Sequence, residues 1–322
     1  MVSLRHHNSL RVQSRWLNLL ALSSKSVMAK TCVILNPSAG SAGDLDDLTD
    51  RLGRLLDAEI CVTSKPGTAA RLARTAIRKG AELIVAAGGD GTLNGVINGV
   101  ADKADAARVG LIPLGTGNDF ARTLGIPTDL EAAIEVVRGG ETRAIDLVRV
   151  TSDEVRYFVN VSAGGFSGLV NEKLTPELKK AWGPLAYLRS AAAALPELRA
   201  YQTTISFDNT ESLTLDLYNV VVANGRYVAG GTLIAPEASI DDGMLDIILI
   251  QKRSAPELAL LAASVALGTH LSSEAVVFRR AAKVTVNSKP GMWFNVDGEL
   301  VGNEPARFEI LPRALRFVVA KP

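Results

Sequence analysis

The sequence predicts an α/β domain followed by an antiparallel β-sandwich domain, and three observations carry that prediction. From Thr31 to about residue 115, short apolar runs alternate with segments of helical period. Beyond about residue 147 the pattern changes to strand-like runs separated by turns. Three glycine loops, at 36–43, 88–91 and 115–117, each follow an apolar run of the first part directly.

The elements follow in order. "TCVILNP" (31–37) is an apolar run stopped by Asn-Pro, and Leu45, Leu48, Leu52, Leu55 and Leu56 mark one helical face. "EICVTS" (59–64) is a second strand, with Leu72, Ala73, Ala76 and Ile77 marking the next helix. "ELIVAAGG" (82–89) is a third, followed by Leu93, Val96, Ile97 and Val100 at helical spacing, and "RVGLIPLG" (108–115) is a fourth. Continuous apolar strands of this kind form a parallel sheet covered on both faces, with ligands beyond the carboxyl ends of its strands. "YFVNVSAGGF", "YQTTISF", "SLTLDLYNVVVANG", "MLDIILI", "AKVTVNS", "MWFNVDG" and "ARFEILPRALRFVVA" then predict an antiparallel sandwich, interrupted by helices near 175–199 and 255–268. The expected division is 30–147 for the α/β domain and 148–307 for the sandwich, softened by "AIDLVRV", which crosses it.

Composition narrows the function classes. The chain has 322 residues, 47% hydrophobic and 21% charged, with a formal net charge of +1, so bulk charge predicts no nucleic-acid partner. The longest apolar run, "LALLAASVALGTHL" (258–271), is shorter than the ~18–20 residues needed to cross a bilayer. Cys32 and Cys61 lack CxxC spacing and are expected as reduced thiols of a cytosolic protein. Only three histidines occur, His6 and His7 in the N-terminal tail and His270 with no Ser or Cys motif nearby, so a general base is expected to be a carboxylate. Residues 1–29 hold Arg5, Arg11, Arg15 and Lys25 but no acid, a composition shared by targeting segments and by over-long start sites. Met28 is read as the initiator, and the stretch is set aside from the fold.

Two motifs could carry chemistry. In "GGDGTLN" (88–94), Gly88, Gly89 and Gly91 allow backbone N–H groups to approach phosphate oxygens, and Thr92 is the expected N-cap of a helix from Leu93. Asp90 could then reach a magnesium ion or a substrate hydroxyl; the alternative is a tight strand-to-helix turn. "PLGTGNDFART" (113–123) repeats the set after the next strand with Gly115, Thr116, Gly117 and Asp119. Two adjacent strand ends with the same glycine, hydroxyl and acid are hard to explain by turn chemistry alone. The Walker pattern, the kinase HRD and DFG elements and a G-x-G-x-x-G loop after the first strand are all absent.

"NPSAG", "GGDGTLN" and "PLGTGNDF", then "NVSAGGF" (160–166), "IDDGMLD" (240–246) and "NVDGE" (295–299), together resemble the diacylglycerol kinase catalytic family, most closely its bacterial soluble YegS-type lipid kinases. The resemblance runs from about Thr31 to Val319. It implies an α/β nucleotide-binding domain of NAD kinase or phosphofructokinase type joined to the sandwich, with 308–319 returning to the first domain. It also implies ATP as co-substrate, Mg²⁺, and a lipid alcohol such as diacylglycerol as acceptor, met by a cytoplasmic protein in transient contact with a membrane surface. Thr63, Gly88, Gly89, Asp90, Gly91, Thr92, Leu93, Asn94 and Thr116 match the family's ATP-contacting positions. Asp297 matches its general base, and Asp90, Asp119, Asp297 and Glu299 match its acidic network around catalytic magnesium. "EASIDDGMLD" matches a separate structural metal loop, with Asp242 ligating through its side chain and Ser239 and Met244 through main-chain carbonyls.

Three features are weaker. The basic and apolar residues of 175–199 could dock on anionic lipid or form an ordinary solvated amphipathic helix. Arg279, Arg280 and Lys283 form a small basic group. An edge strand could support a homodimer. A kinase of a soluble metabolite such as NAD, and a non-catalytic nucleotide-binding module, are the competing functions; "GTGNDF" and "VDGE" favour the lipid branch.

Overall fold

The computed structural model describes residues 31–40, 44–167, 198–296, 299–302 and 305–321, with Glu299 described through its backbone. The first part contains β1 (Thr31–Leu35), α1 (Leu45–Leu56), β2 (Ala58–Val62), α2 (Thr68–Arg78), β3 (Leu83–Gly88), α3 (Asp90–Val100), β4 (Arg108–Pro113), α4 (Asp119–Leu124) and α5 (Leu130–Gly139). Its strands are parallel and lie in the spatial order β2-β1-β3-β4. Residues on these strands alternate between two cores, which is why their runs are apolar at every position. Val33, Leu35, Val85 and Ala87 pack with Leu48, Leu52, Ala133 and Ile134 of α1 and α5. Cys32, Ile34, Ile84 and Ala86 pack with Ala73, Val96 and Ile97 of α2 and α3 on the opposite face.

Helices α2 and α3 touch closely because one is lined with alanine and the other with glycine. A Cβ placed on Gly95 would lie 2.8 Å from the Ala69 Cβ, and one on Gly99 would lie 2.5 Å from the Ala73 Cβ and 2.6 Å from the Ala70 carbonyl oxygen. This contact fixes the axis of α3, and hence the direction in which its first turn points.

The second part contains β5 (Glu141–Thr151), β6 (Val155–Phe158), β7 (Val161–Gly165), β8 (Tyr201–Phe207), β9 (Glu211–Ala223), β10 (Tyr227–Val228), β11 (Thr232–Leu233) and β12 (Leu245–Gln251). It continues with α6 (Ala255–Ala266), β13 (Val276–Ala281), β14 (Lys283–Lys289), β15 (Phe294–Val296), β16 (Glu299–Gly302) and β17 (Ala306–Val319). Strand β9 branches: one half pairs with β8, while the other lies between β7 and β12. Phe158, Phe294 and Phe308 fill the core between these layers, with edge-on ring contacts at 5.3 and 6.4 Å.

The long C-terminal strand crosses the expected division. Strand β17 pairs with β14 near its start, with β5 along its length, and with β4 at Phe317 opposite Val109. The two parts therefore share one continuous sheet among the described residues. The apolar run that crosses the boundary is a single strand, β5, paired with β17 on both sides of a bend in β17 between Leu311 and Leu315.

One strand departs from the sequence pattern, and the two expected helices stand as follows. The expected helix near 255–268 is α6, Ala255–Ala266. The expected helix near 175–199 lies almost wholly outside the described residues. Strand β13 is unannounced because Arg279 and Arg280 interrupt its apolar run; both sit in the strand with ion-pair partners, Glu211 for the first and Asp242 and Asp246 for the second.

Replacement of Gly99 by alanine should destabilise the chain by about 1–3 kcal/mol through overpacking, measured by urea unfolding. Gly139→Ala, where an added Cβ meets nothing within 4 Å, should be neutral or stabilising by up to ~1 kcal/mol.

Candidate active site

Three loops meet beyond the carboxyl ends of β1, β3 and β4. Asn36, after β1, donates its amide to Thr92 Oγ1 at 3.3 Å and accepts the Ser38 N–H through its own side-chain oxygen at 3.0 Å. Gly40 lies against Thr116, whose Oγ1 would be 3.4 Å from a Cβ placed there. Gly89 and Gly115 lie back to back, since a Cβ on Gly115 would fall 2.4 Å from the Gly89 Cα. Thr63, half-buried after β2, continues the β1 ladder by donating its N–H to the Leu35 carbonyl at 2.8 Å.

The glycines divide by role. A Cβ on Gly88 would strike the Thr92 side chain at 2.3 Å, so Gly88, Gly89 and Gly115 are required by packing between protein segments. Gly91 is exposed, with nothing within 4 Å of its added Cβ. It alone of the four is bare toward open space.

Helix α3 begins at Asp90, with Gly89 in extended conformation as its N-cap. Thr92 is therefore not the cap that the sequence suggests. It is buried in the first turn, and its hydroxyl serves the Asn36 contact. The N–H groups of Asp90 and Gly91 open the helix and have no intrahelical carbonyl to meet, leaving donors and the positive end of the helix at the loop. Leu93 is in the core, and Asn94 is buried between α3 and the second part, with its amide 3.5 Å from the Tyr157 carbonyl. Their side chains thus face away from the loop, and the Leu93 N–H is taken by the Gly89 carbonyl at 3.1 Å.

The two acids come together. Asp90 accepts the Asp119 N–H through Oδ2 and the Phe120 N–H through Oδ1, both at 3.2 Å, so it caps α4 from the neighbouring loop. Asn118, in the left-handed region at φ 51°, clamps its own loop by bonding both the N–H and the carbonyl of Gly115 at 3.0 and 2.7 Å. Asp119 accepts the Gly230 N–H at 3.1 Å from the β10–β11 hairpin of the second part. Its other oxygen, Oδ1, is buried and meets no hydrogen-bond partner among the described residues. Burial and the neighbouring Asp90 charge push its pKa up to about 6.

This geometry accommodates a divalent cation. A Cβ on Gly117 would sit 3.2 Å from Asp90 Oδ2 and 3.5 Å from Asp119 Oδ2, so its absence leaves space beside both carboxylates. Mg²⁺ commonly takes one or two carboxylates and completes its shell with water and substrate phosphates. Among the described residues no group of three His, Cys, Asp or Glu is arranged to hold a metal without such help.

The other expected residues are distributed as follows. Asp297 lies outside the described residues, and of Glu299 only its strand position in β16 is described. In the 239–244 loop the Asp242 carboxylate accepts the Met244 N–H at 3.0 Å and pairs with Arg280. Ser239 Oγ donates to Asp241 at 2.9 Å, and Asp241 pairs with Arg143 at 2.6 Å. The loop's negative charge is thus met by two arginines of adjacent strands, and these bonds hold the turn. The role of Gly230 was not read from the sequence, although the Gly-Gly pair at 230–231 between short apolar stretches is a hairpin signal.

Residues 30–150 match the diacylglycerol kinase catalytic domain, and residues 160–319 match the YegS C-terminal NAD kinase beta sandwich-like domain. A diacylglycerol kinase of Staphylococcus haemolyticus is 32% identical over 297 residues, covering 90% of this chain and 88% of its own. One of Staphylococcus epidermidis is 33% identical over 297 residues, covering 90% and 92%. A crystal structure of a diacylglycerol kinase from Bacillus anthracis superposes with a TM-score of 0.75 at 24% identity, over 90% of this chain and 97% of that one, a likeness of fold.

Asp119 makes stability depend on pH. An unfolded aspartate titrates near 3.8 and the folded one at about 6, so between these values the folded chain keeps a proton that the unfolded chain has lost. The favourable contribution is complete below the lower value and disappears as pH rises through the upper one. In buffer free of divalent cations, wild type should lose on the order of 2 kcal/mol relative to Asp119→Asn between pH 4 and 7, read from urea unfolding at each pH.

Proposed function

Since the chain belongs to the diacylglycerol kinase catalytic-domain family, we propose that it is a lipid kinase that transfers the terminal phosphoryl group of ATP to the hydroxyl of a lipid alcohol, diacylglycerol being the first candidate. The observation that carries the reading is the pairing of Asp90 with Asp119 at the opening of α3, with one buried carboxylate oxygen that meets no partner among the described residues. Phosphoryl transfer has a loose transition state, so a protein catalyses it chiefly by position and charge.

The residues divide that work. The N–H groups of Asp90 and Gly91 and the N-terminal end of α3 offer donors to phosphate oxygens. Thr63 and the exposed Thr116 border the same loops and suit contacts to the nucleotide. Asp90 and Asp119 would hold Mg²⁺, which when bound supplies positive charge against the phosphates. Asn118 and Gly230 keep the two carboxylates at this spacing. Asp297, in the "VDGE" motif, is proposed to accept the proton of the lipid hydroxyl, with Glu299 beside it in sequence. That role needs only an ordinary carboxylate acting late in the transfer. No helix among the described residues is long and apolar enough to cross a membrane, so the lipid would be met at a membrane surface.

The test is transfer of labelled phosphate from ATP into mixed micelles of diacylglycerol and a total lipid extract, beside NAD and sugar phosphates. A phosphorylated lipid is expected; turnover on soluble acceptors alone would reject the proposal. Asp90→Asn should lower kcat by roughly a hundredfold or more while the chain stays folded by circular dichroism. Asp297→Asn should lower it by roughly 10²–10⁴-fold, and full activity in that variant would exclude Asp297 as the base.

A further inference from the structure

Helix α6 is apolar on the side that faces water. Leu258, Leu261 and Val265, spaced by three and four residues, join the core cluster formed with Val221, Ile248 and Ala275. On the other side Leu260 is 73% exposed and Leu267, just past the helix end, is 78% exposed. Ala259, Ala263 and Ala266 are exposed with them. No Asp, Glu, Lys or Arg lies between Glu257 and Glu274. Glu257 is occupied at the helix start, where it closes a capping box with Ser254. A helix facing only water carries charged residues on its outer side.

This face is continuous with the candidate active site. Gly268, at the end of α6, lies against Leu233 of β11, whose Cδ2 would be 3.5 Å from a Cβ placed there. The buried His270 ring meets the Ile234 carbonyl at 2.7 Å. The same hairpin reaches forward through the Gly230 N–H to Asp119. One short hairpin therefore supports both the apolar face and the acid pair.

We propose that this face of α6 docks on a phospholipid bilayer, with Leu260 and Leu267 entering the acyl region and the exposed Lys252 ahead of the helix at headgroup level. A protein partner of standard size would need about 800 Å² on each side, with polar groups matched at a rim. The outer face of α6 presents two leucines among alanines, with no charged residue between Glu257 and Glu274 for such a rim to match. A bilayer accepts apolar side chains without matched donors or acceptors, and a mixed chain of this kind binds in proportion to the apolar surface it inserts. Docking here would bring the hairpin and the cleft behind it to the surface from which a lipid hydroxyl is drawn. The inference rests on the reading of the acceptor as a lipid.

The test uses the full chain and its Leu260→Glu/Leu267→Glu variant, with Val155→Glu, another exposed apolar position at 52%, as control. Co-sedimentation with phosphatidylcholine–phosphatidylglycerol vesicles is measured without nucleotide. Turnover is measured on long-chain diacylglycerol in those vesicles and on dispersed dioctanoylglycerol. The double variant should bind vesicles about tenfold more weakly or worse and lose turnover in proportion on the embedded lipid. It should keep turnover on the dispersed one, while the control behaves as wild type. A milder serine pair gives the same ordering if glutamate disturbs folding. Vesicle binding equal to wild type overturns the proposal. So does a wild-type dimer in sedimentation velocity that the variant dissociates without change in vesicle binding. Absence of lipid phosphorylation in every form would instead reject the lipid-kinase reading, and the vesicle arm would still decide the docking face.

Discussion

The site depends on one carboxylate that belongs to two helices. Asp90 is the first residue of α3, yet its side chain is spent on the first two N–H groups of α4. Only a chain in which Gly89 and Gly115 can touch backbone to backbone allows that reach. The consequence is electrostatic. Capping α4 with Asp90 brings the helix's own first residue, Asp119, beside a second negative charge in a half-dry place, and its carboxyl is pushed up accordingly. Two like charges held together by backbone hydrogen bonds are a costly arrangement for a fold and a suitable one for a cation.

That arrangement needs both parts of the chain. Asp119 is oriented by Gly230 from the β10–β11 hairpin, and Arg226, before the same hairpin, donates its N–H to Thr123 of α4 at 3.1 Å. Asn98, on the helix that starts with Asp90, bonds the carbonyl and the N–H of Tyr157 in β6 at 2.8 and 2.9 Å. Behind them Asp146 of β5, fully buried, accepts the Gly243 and Arg313 N–H groups at 2.8 and 2.7 Å. It ties the 239–244 loop to the bend in β17. The acid pair is thus set by side chains and backbone from both sides of the division, and β17 is the strand that makes the division incomplete.

Much of this was legible in the sequence because burial on two faces leaves a plain mark. The runs at Thr31, Glu59, Glu82 and Arg108 had to be strands of a covered sheet, and the acids after the last two had to emerge at one end of it. The finer geometry was not legible for identifiable reasons. Thr92 is a good capping residue, but helix starts are set by where the backbone turns, and Gly89 turned it earlier. The glycines of "GGDG" suggest a ligand, yet three of the four around the loop junction answer to neighbouring protein atoms, a distinction that composition cannot carry. Asn118 and Gly230 act through contacts to Gly115 and to Asp119, the second of them 111 residues away in sequence. Asp242 stands in the turn its motif announces, and the arginine it pairs with lies on β13, a strand hidden from the pattern by that same charge.

The contrast between two surface helices carries the last step. α2 has arginine at 71, 74 and 78 on its outer side and alanine on its inner side, the distribution that water and a core jointly demand. α6 has leucine on both sides, Leu258 and Leu261 inward and Leu260 outward among exposed alanines, and it lies next to the hairpin that orients Asp119. Water alone would favour charge on that outer face, as it does on α2. A bilayer would favour the leucines found there, and it is also where a lipid hydroxyl resides. The composition of α6 and the chemistry proposed for the acid pair therefore point to the same surroundings, although they are drawn from different residues by different physical arguments.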